Sequence, residues 1–186
     1  MPRPVVIAVD IPIGLLDRPE PGGRPCDREA RCLLRERRSS IFSPPARSQL
    51  RTISGMSRQT LMIRPKIIEI DRVMTPQLQG VVHESHPELA FTALAGHPMM
   101  FAKKAMADRD ERRQALEQGT QGLFQDIGGT AREAVSQCSR RQVAVDDLFD
   151  AVVLAWTARR IYHGTAMRIP TIPLMDRKGL RMEIWF

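Results

Sequence analysis

The stretch "VVIAVDIPIG", Val5 to Gly14, decides the fold class of this chain. Val5 to Val9 is an uninterrupted apolar run dominated by β-branched residues, the pattern of a buried strand. It stops on a carboxylate, Asp10, and Pro12 and Gly14 then force the chain to turn. In an α/β fold, ligands gather at the carboxyl ends of strands, so an acid placed there projects into the crevice. The alternative is structural: Asp10 caps the turn through a bond to its own backbone.

Working outward, "DRPEPGGRP" (Asp17 to Pro25) is an irregular loop, and "CDREARCLLRER" after it reads as a helix with acids in its first turn and arginines in its last. The paired prolines of "SSIFSPPARSQL" break that helix. A second helical pattern runs from Ser57 to Val73, with Pro65 expected to kink it. "GVVHESHPELAF" (Gly80 to Phe91) reads as a short strand that turns into a helix at Pro87. "KKAMADRDERRQALEQG" is a charged surface helix ending at Gly119, and the glycine-rich "GTQGLFQDIGGT" carries no expected element. "VAVDDLFDAVVLAWTARRIYHG" is a helix of about five turns, stopped by Gly164. "GLRMEIWF" closes the chain as a strand with Met182, Ile184 and Phe186 alternating against Glu183 and Trp185.

At 186 residues, 42% hydrophobic and 26% charged, the composition is that of one globular domain, 1–186. No apolar run approaches the roughly 20 residues that span a bilayer, and the opening residues lack a signal-peptide pattern, so a cytoplasmic protein is expected. The three cysteines, 26, 32 and 138, show neither CxxC nor zinc-finger spacing and read as reduced thiols. The net charge is +7, with arginine supplying 24 of the 28 basic residues. From Arg24 to Lys66, eleven basic residues face Asp27, Glu29 and Glu36, a local +8. Such a segment suits nucleic acid, or else it is a solvated arginine-rich surface.

Three acidic clusters could carry chemistry. Asp147 and Asp150, three apart, share a helix face and with Asp10 could hold Mg²⁺ or Mn²⁺ for phosphodiester hydrolysis; helix capping is the competing reading. In "HESHPE", Glu84 and His86 share one strand face and His83 the other, which disfavours zinc. Glu84 is then either an acid near the metal or a solvated strand residue, with His86 bonded at the strand-to-helix turn. Ser39 and Ser40, after Arg37 and Arg38, could present hydroxyls and guanidinium groups to phosphate. Neither a GxSxG elbow nor a P-loop occurs.

"AVDIPIGL", "PCDREARCLL", "RRSSIFSPPAR", "MSRQ", "ESHPELAF", "DDLFDAVVLAWTARR" and "GLRMEIWF", in this order, resemble domain-of-unknown-function family 429, described as predicted nucleases of the ribonuclease-H-like superfamily. The resemblance implies a ribonuclease-H-like α/β fold, a mixed sheet with flanking helices and two divalent cations. It implies that Asp10 is the acid of the central strand and Asp147 and Asp150 the helical acids. Glu84, His86 and Glu88 match a motif without an assigned role, and Arg28, Arg37, Arg38, Ser39, Ser40 and Lys66 fall in segments suited to phosphate contact. Family members are expected to begin with a strand of the type GVDGCxxGW, carrying the first ligand, and a hairpin. Only nine residues precede Asp10 here, so those strands and their acid are expected to be absent: either the chain is truncated, or it completes its open sheet edge by association, or it no longer catalyses. The two functions that follow are a metal-dependent nuclease and a non-catalytic nucleic-acid-binding or scaffold protein using the 24–66 segment.

Overall fold

The computed structural model describes residues 5–51, 58–101, 105–120 and 144–186, with Gly129, Glu133, Ser136 and Gln137 between them. Strand β1 (Ile7–Val9) is followed by helix α1 (Pro25–Leu34), which continues into a 3₁₀ turn over Arg35–Ser40. Helix α2 (Arg58–Val73), strand β2 (Val82–Glu84), helices α3 (Pro87–Ala95), α4 (Met106–Gly119) and α5 (Val145–Tyr162), and strands β3 (Arg168–Met175) and β4 (Arg181–Trp185) complete the order. The glycine-rich 121–128 stretch, Ser57 and Cys138 lie outside the described residues; Cys26 is a buried free thiol and Cys32 an exposed one.

β1 and β2 pair in parallel, Ile7 opposite Val82 and Val9 opposite Glu84, while β3 and β4 pair antiparallel. A parallel bridge between Ser85 and Trp185 joins the two ladders, and the Ser85 hydroxyl donates to the Trp185 carbonyl at 2.8 Å. The result is a mixed α/β fold whose small ladders line up as β1–β2–β4–β3. β3 was not foreseen: Pro170 and Pro173 argue against a strand, and the chain accommodates them at the ladder's edge, where a missing N–H costs nothing.

Helix starts follow from local chemistry. Pro25 occupies the first position of α1, and the Asp27 carboxylate accepts the N–H of Arg24 at 3.1 Å. α5 opens in the same way, with Asp147 accepting the N–H of Ala144 at 2.9 Å. α2 runs through Pro65 as one helix. Cys26, Ala30 and Leu34 of α1 pack on Met182 and Ile184 of β4 and on Phe186 just beyond it, the face the alternation predicted. Glu183, on the other face, is nonetheless buried, because Arg168, Arg181 and the Trp185 indole all donate to it. α4 is also less superficial than its charge suggests: Asp108, Arg112 and Leu116 are buried. A further core joins Phe91, Leu116, Phe149 and Val153 and takes in Ala8, which places α5 against β1.

The turn after Asp10 is held by backbone contacts. Gly14 has φ +76°, and a Cβ there would meet Met182 Cγ at 3.0 Å and the Arg181 carbonyl at 3.1 Å. Gly14→Ala therefore combines left-handed backbone cost with a clash, and an expected loss of about 2 kcal/mol is readable as a lowered urea midpoint. An unchanged midpoint would show that this turn can relax.

Candidate active site

Because β1 and β2 are parallel and in register, Val9 and Glu84 end side by side. At that carboxyl end lies a cavity of about 350 Å³, whose lining includes Asp10, Ser39, Ser40, Glu84, Ser85 and His86. Parallel strands end in this way at ligand crevices of α/β sheets.

The cavity wall is built on Arg24, which is 2% exposed. Its guanidinium donates to Glu84 Oε1 at 2.6 Å and Oε2 at 2.8 Å, to Asp27 Oδ1 at 2.7 Å, and to the carbonyls of Ile13 and Gly14, each at 3.1 Å. Glu84 Oε2 also accepts the Ile13 N–H at 2.6 Å. These bonds satisfy the turn that follows Asp10. Burial works against the charge of Arg24, but Asp27 and Glu84 prevail and hold its pKa well above the ordinary value. Burial pushes the Glu84 carboxyl up, against the opposing pull of Arg24. It pushes the Cys26 thiol up as well, so that sulfur stays neutral. Glu84 is thus a buried structural partner as well as a cavity wall, and not a solvated strand residue.

β2 ends at Glu84, so His86 does not share a strand face with it. His86 instead stands at the N-cap of α3, where its Nδ1 accepts the Glu88 N–H at 3.2 Å.

A second network lies behind α3. Glu88 Oε1 accepts from Arg37 at 2.8 Å and from Arg112 at 2.5 Å. Arg112 also donates to Asp108 at 3.0 Å and to Asp150 at 3.1 Å, and lies 4.6 Å from the Phe91 ring centroid. Asp150 is therefore ion-paired with α4, Asp147 caps α5, and Asp146 pairs with Arg109 at 2.8 Å. None of these acids is among the cavity's lining residues.

Burial alone would raise Glu88, but Arg112 and Arg37 hold it below the ordinary carboxylate range; at Asp176, Arg47 and the N–H groups of Leu180 and Leu15 likewise outweigh burial. A carboxyl held down in the folded state stabilises fully above its unfolded value of about 4, and that contribution is lost as pH falls through the folded value. The melting temperature should fall as pH drops below about 4, and Glu88→Gln should flatten that limb. An equally steep acid limb in Glu88→Gln would contradict this assignment.

Part of the basic segment is spent inside the protein. Arg24 and Arg37 are committed as above, Arg47 pairs with Asp71 and Asp176, Arg64 donates to the Leu50 carbonyl at 2.9 Å, and Arg28 donates to the Gly23 carbonyl. Arg28, Arg38 and Lys66 are exposed, with Ser39 and Ser40 on the cavity itself. The local +8 therefore overstates the charge available to a partner.

Sequence reasoning missed Arg24, Asp27 and Arg112 as organising residues. The pairs Arg24–Asp27 and Asp108–Arg112 are visible as local spacings, but their partners Glu84 and Glu88 lie 60 and 24 residues away.

Among the described residues, no group of three His, Cys, Asp or Glu side chains forms a ready metal centre. The cavity's charge still suits a cation, since its lining carries three carboxylates, Asp10, Asp27 and Glu84, against one guanidinium, Arg24, a formal excess of two negative charges. Magnesium needs only one or two protein carboxylates when phosphate and water complete its shell. The residues present would suit an ion that arrives with a phosphate, and Asp10 is the exposed carboxylate among them.

Among the described residues, no helix is long and apolar enough to cross a membrane. The profile of one protein family, described as "Protein of unknown function (DUF429)", matches residues 1–174. No curated protein and no solved structure matches the chain.

Proposed function

The chain belongs to the DUF429 family, and from that premise we propose that it is a ribonuclease-H-like phosphodiesterase acting on nucleic acid, with its reacting phosphate in the strand-end cavity. The observation that carries this reading is the cavity itself: exposed Asp10, together with Ser39, Ser40 and His86, lines it where two parallel strands end.

Asp10 would hold Mg²⁺ or Mn²⁺, whereas Asp147 and Asp150, on the helix packed beside β1, are engaged with the Ala144 N–H and with Arg112 and stand outside the cavity. Such an ion, when bound, supplies charge neutralisation at the phosphoryl oxygens and a water of lowered pKa. The protein's own groups do the rest. In this reading Ser39 and Ser40 donate to non-bridging oxygens, and His86 contributes a polar ring to the cavity wall beside the ester. The buried Arg24–Asp27–Glu84 cluster fixes the wall against which these groups stand and leaves a negative field that favours a cation.

The test is cleavage of a labelled oligonucleotide by the purified chain in Mn²⁺, in Mg²⁺ and in EDTA. Metal-stimulated cleavage supports hydrolysis. Binding without cleavage under all three conditions would instead favour the non-catalytic reading, for which exposed Arg35, Arg38, Arg58 and Lys66 provide the phosphate contacts.

A further inference from the structure

The 3₁₀ turn Arg35–Ser40 touches three hollows at once. Ser39 and Ser40 line the strand-end cavity, while Arg35, Glu36 and Arg38 line a groove of about 810 Å³ beside α1. Arg35 and Glu36 also border an apolar hollow of about 530 Å³ that contains Met100 and Phe101. Residues along the turn divide their work. Arg37 is turned to Glu88 and Asp108, and Arg31 beneath the groove is committed to the Ile41 and Gly22 carbonyls and the Ser43 hydroxyl. Arg35 and Arg38 are exposed.

Two features set this surface apart from an ordinary basic patch. Arg35 adopts φ +48°, ψ −107°, the mirror image of the extended region and a conformation natural only to glycine. An arginine kept there carries a backbone cost, and such outliers concentrate at functional positions. Phe101, 44% exposed, is an aromatic on anchored backbone: the Glu111 carboxylate accepts the N–H groups of Met100 and Phe101, and Arg37 donates to the Phe101 carbonyl. Guanidinium groups on a groove next to an exposed aromatic are the components that grip single strands, because an unpaired base can stack while its phosphates are neutralised.

We propose that this turn is a track for single-stranded nucleic acid leading to the strand-end cavity, with Arg35 and Arg38 on phosphates and Phe101 stacked on a base. The proposal rests on the phosphodiesterase reading and specifies its substrate as a polymer with unpaired bases rather than a mononucleotide or a duplex.

Fluorescence anisotropy with a labelled single-stranded 12-mer, its duplex and a mononucleotide competitor tests it. Phe101→Ala should weaken single-strand binding roughly tenfold. The pair Arg35→Ser and Arg38→Ser together should lower the slope of log affinity against log salt by about 1.4, from two lost phosphate contacts. Arg35→Gly should weaken binding severalfold while raising the melting temperature by about 2–4 °C, a combination that simple misfolding does not produce. Duplex bound as tightly as the single strand, or single-strand affinity unchanged in all three variants, would overturn the track. The two readings fail separately. Metal-stimulated cleavage with unaltered binding in these variants refutes the track alone; dependence on these residues in a chain that cleaves nothing refutes hydrolysis alone.

Discussion

Asp10→Asn is expected to lower metal-stimulated cleavage of an oligonucleotide by at least about 100-fold while leaving the fold intact. Asp10 lies just beyond β1, exposed, and lines the cavity. Asparagine preserves its size and its capacity to accept a hydrogen bond, so an Asx-type turn survives, but the negative charge that suits a divalent cation is removed. Circular dichroism and the urea midpoint should therefore match the parent chain. Glu84→Gln provides the contrast: its carboxylate faces Arg24 through two oxygens, so that change should impair stability first and cleavage only through loss of folded protein. Full activity in Asp10→Asn would remove Asp10 from the reacting centre and leave it as a turn residue.

The largest effect on stability is expected at Arg24. Arg24→Met would leave Asp27 and Glu84 buried without their cation and the Ile13 and Gly14 carbonyls without their donor. Breaking a buried ion pair by deleting one partner costs about 3–5 kcal/mol, because the remaining charge is stranded away from water. A loss of that size is a large fraction of the stability of a single domain, so the variant should unfold at far lower urea or fail to accumulate as folded protein. Lysine should rescue little, since it lacks the planar fork that meets both Glu84 oxygens. A midpoint shift worth less than about 1 kcal/mol would show that water reaches these groups and that the cluster is not the rigid wall described.

Strand β1, the helix α1 expected from Cys26, the strand-to-helix turn at Pro87 and the long α5 were legible because each rests on local signals: an apolar run, acids in a first turn, a first-position proline. β3 was not, since its prolines mask an edge strand whose pairing with β4 is a tertiary fact. Asp10, Ser39, Ser40 and Glu84 were singled out from sequence and do meet around one cavity, across separations that no local pattern reveals. What periodicity could not reveal is how the charges are spent. Glu84 looked like a solvated or metal-facing acid until Arg24 was found on it, and Arg37 looked like a phosphate ligand until Glu88 and Asp108 were found on it. Charge runs record supply, whereas availability depends on partners brought in by folding.

The central claim, that the strand-end cavity holds a divalent cation against Asp10, is tested most directly by an anomalous difference map from crystals of the full chain soaked with Mn²⁺ and a short oligonucleotide. The account predicts a manganese peak within coordinating distance of Asp10, absent from Asp10→Asn crystals treated alike. A peak at another site with the cavity empty, or a peak in the cavity that persists undiminished in the Asp10→Asn crystals, would contradict it.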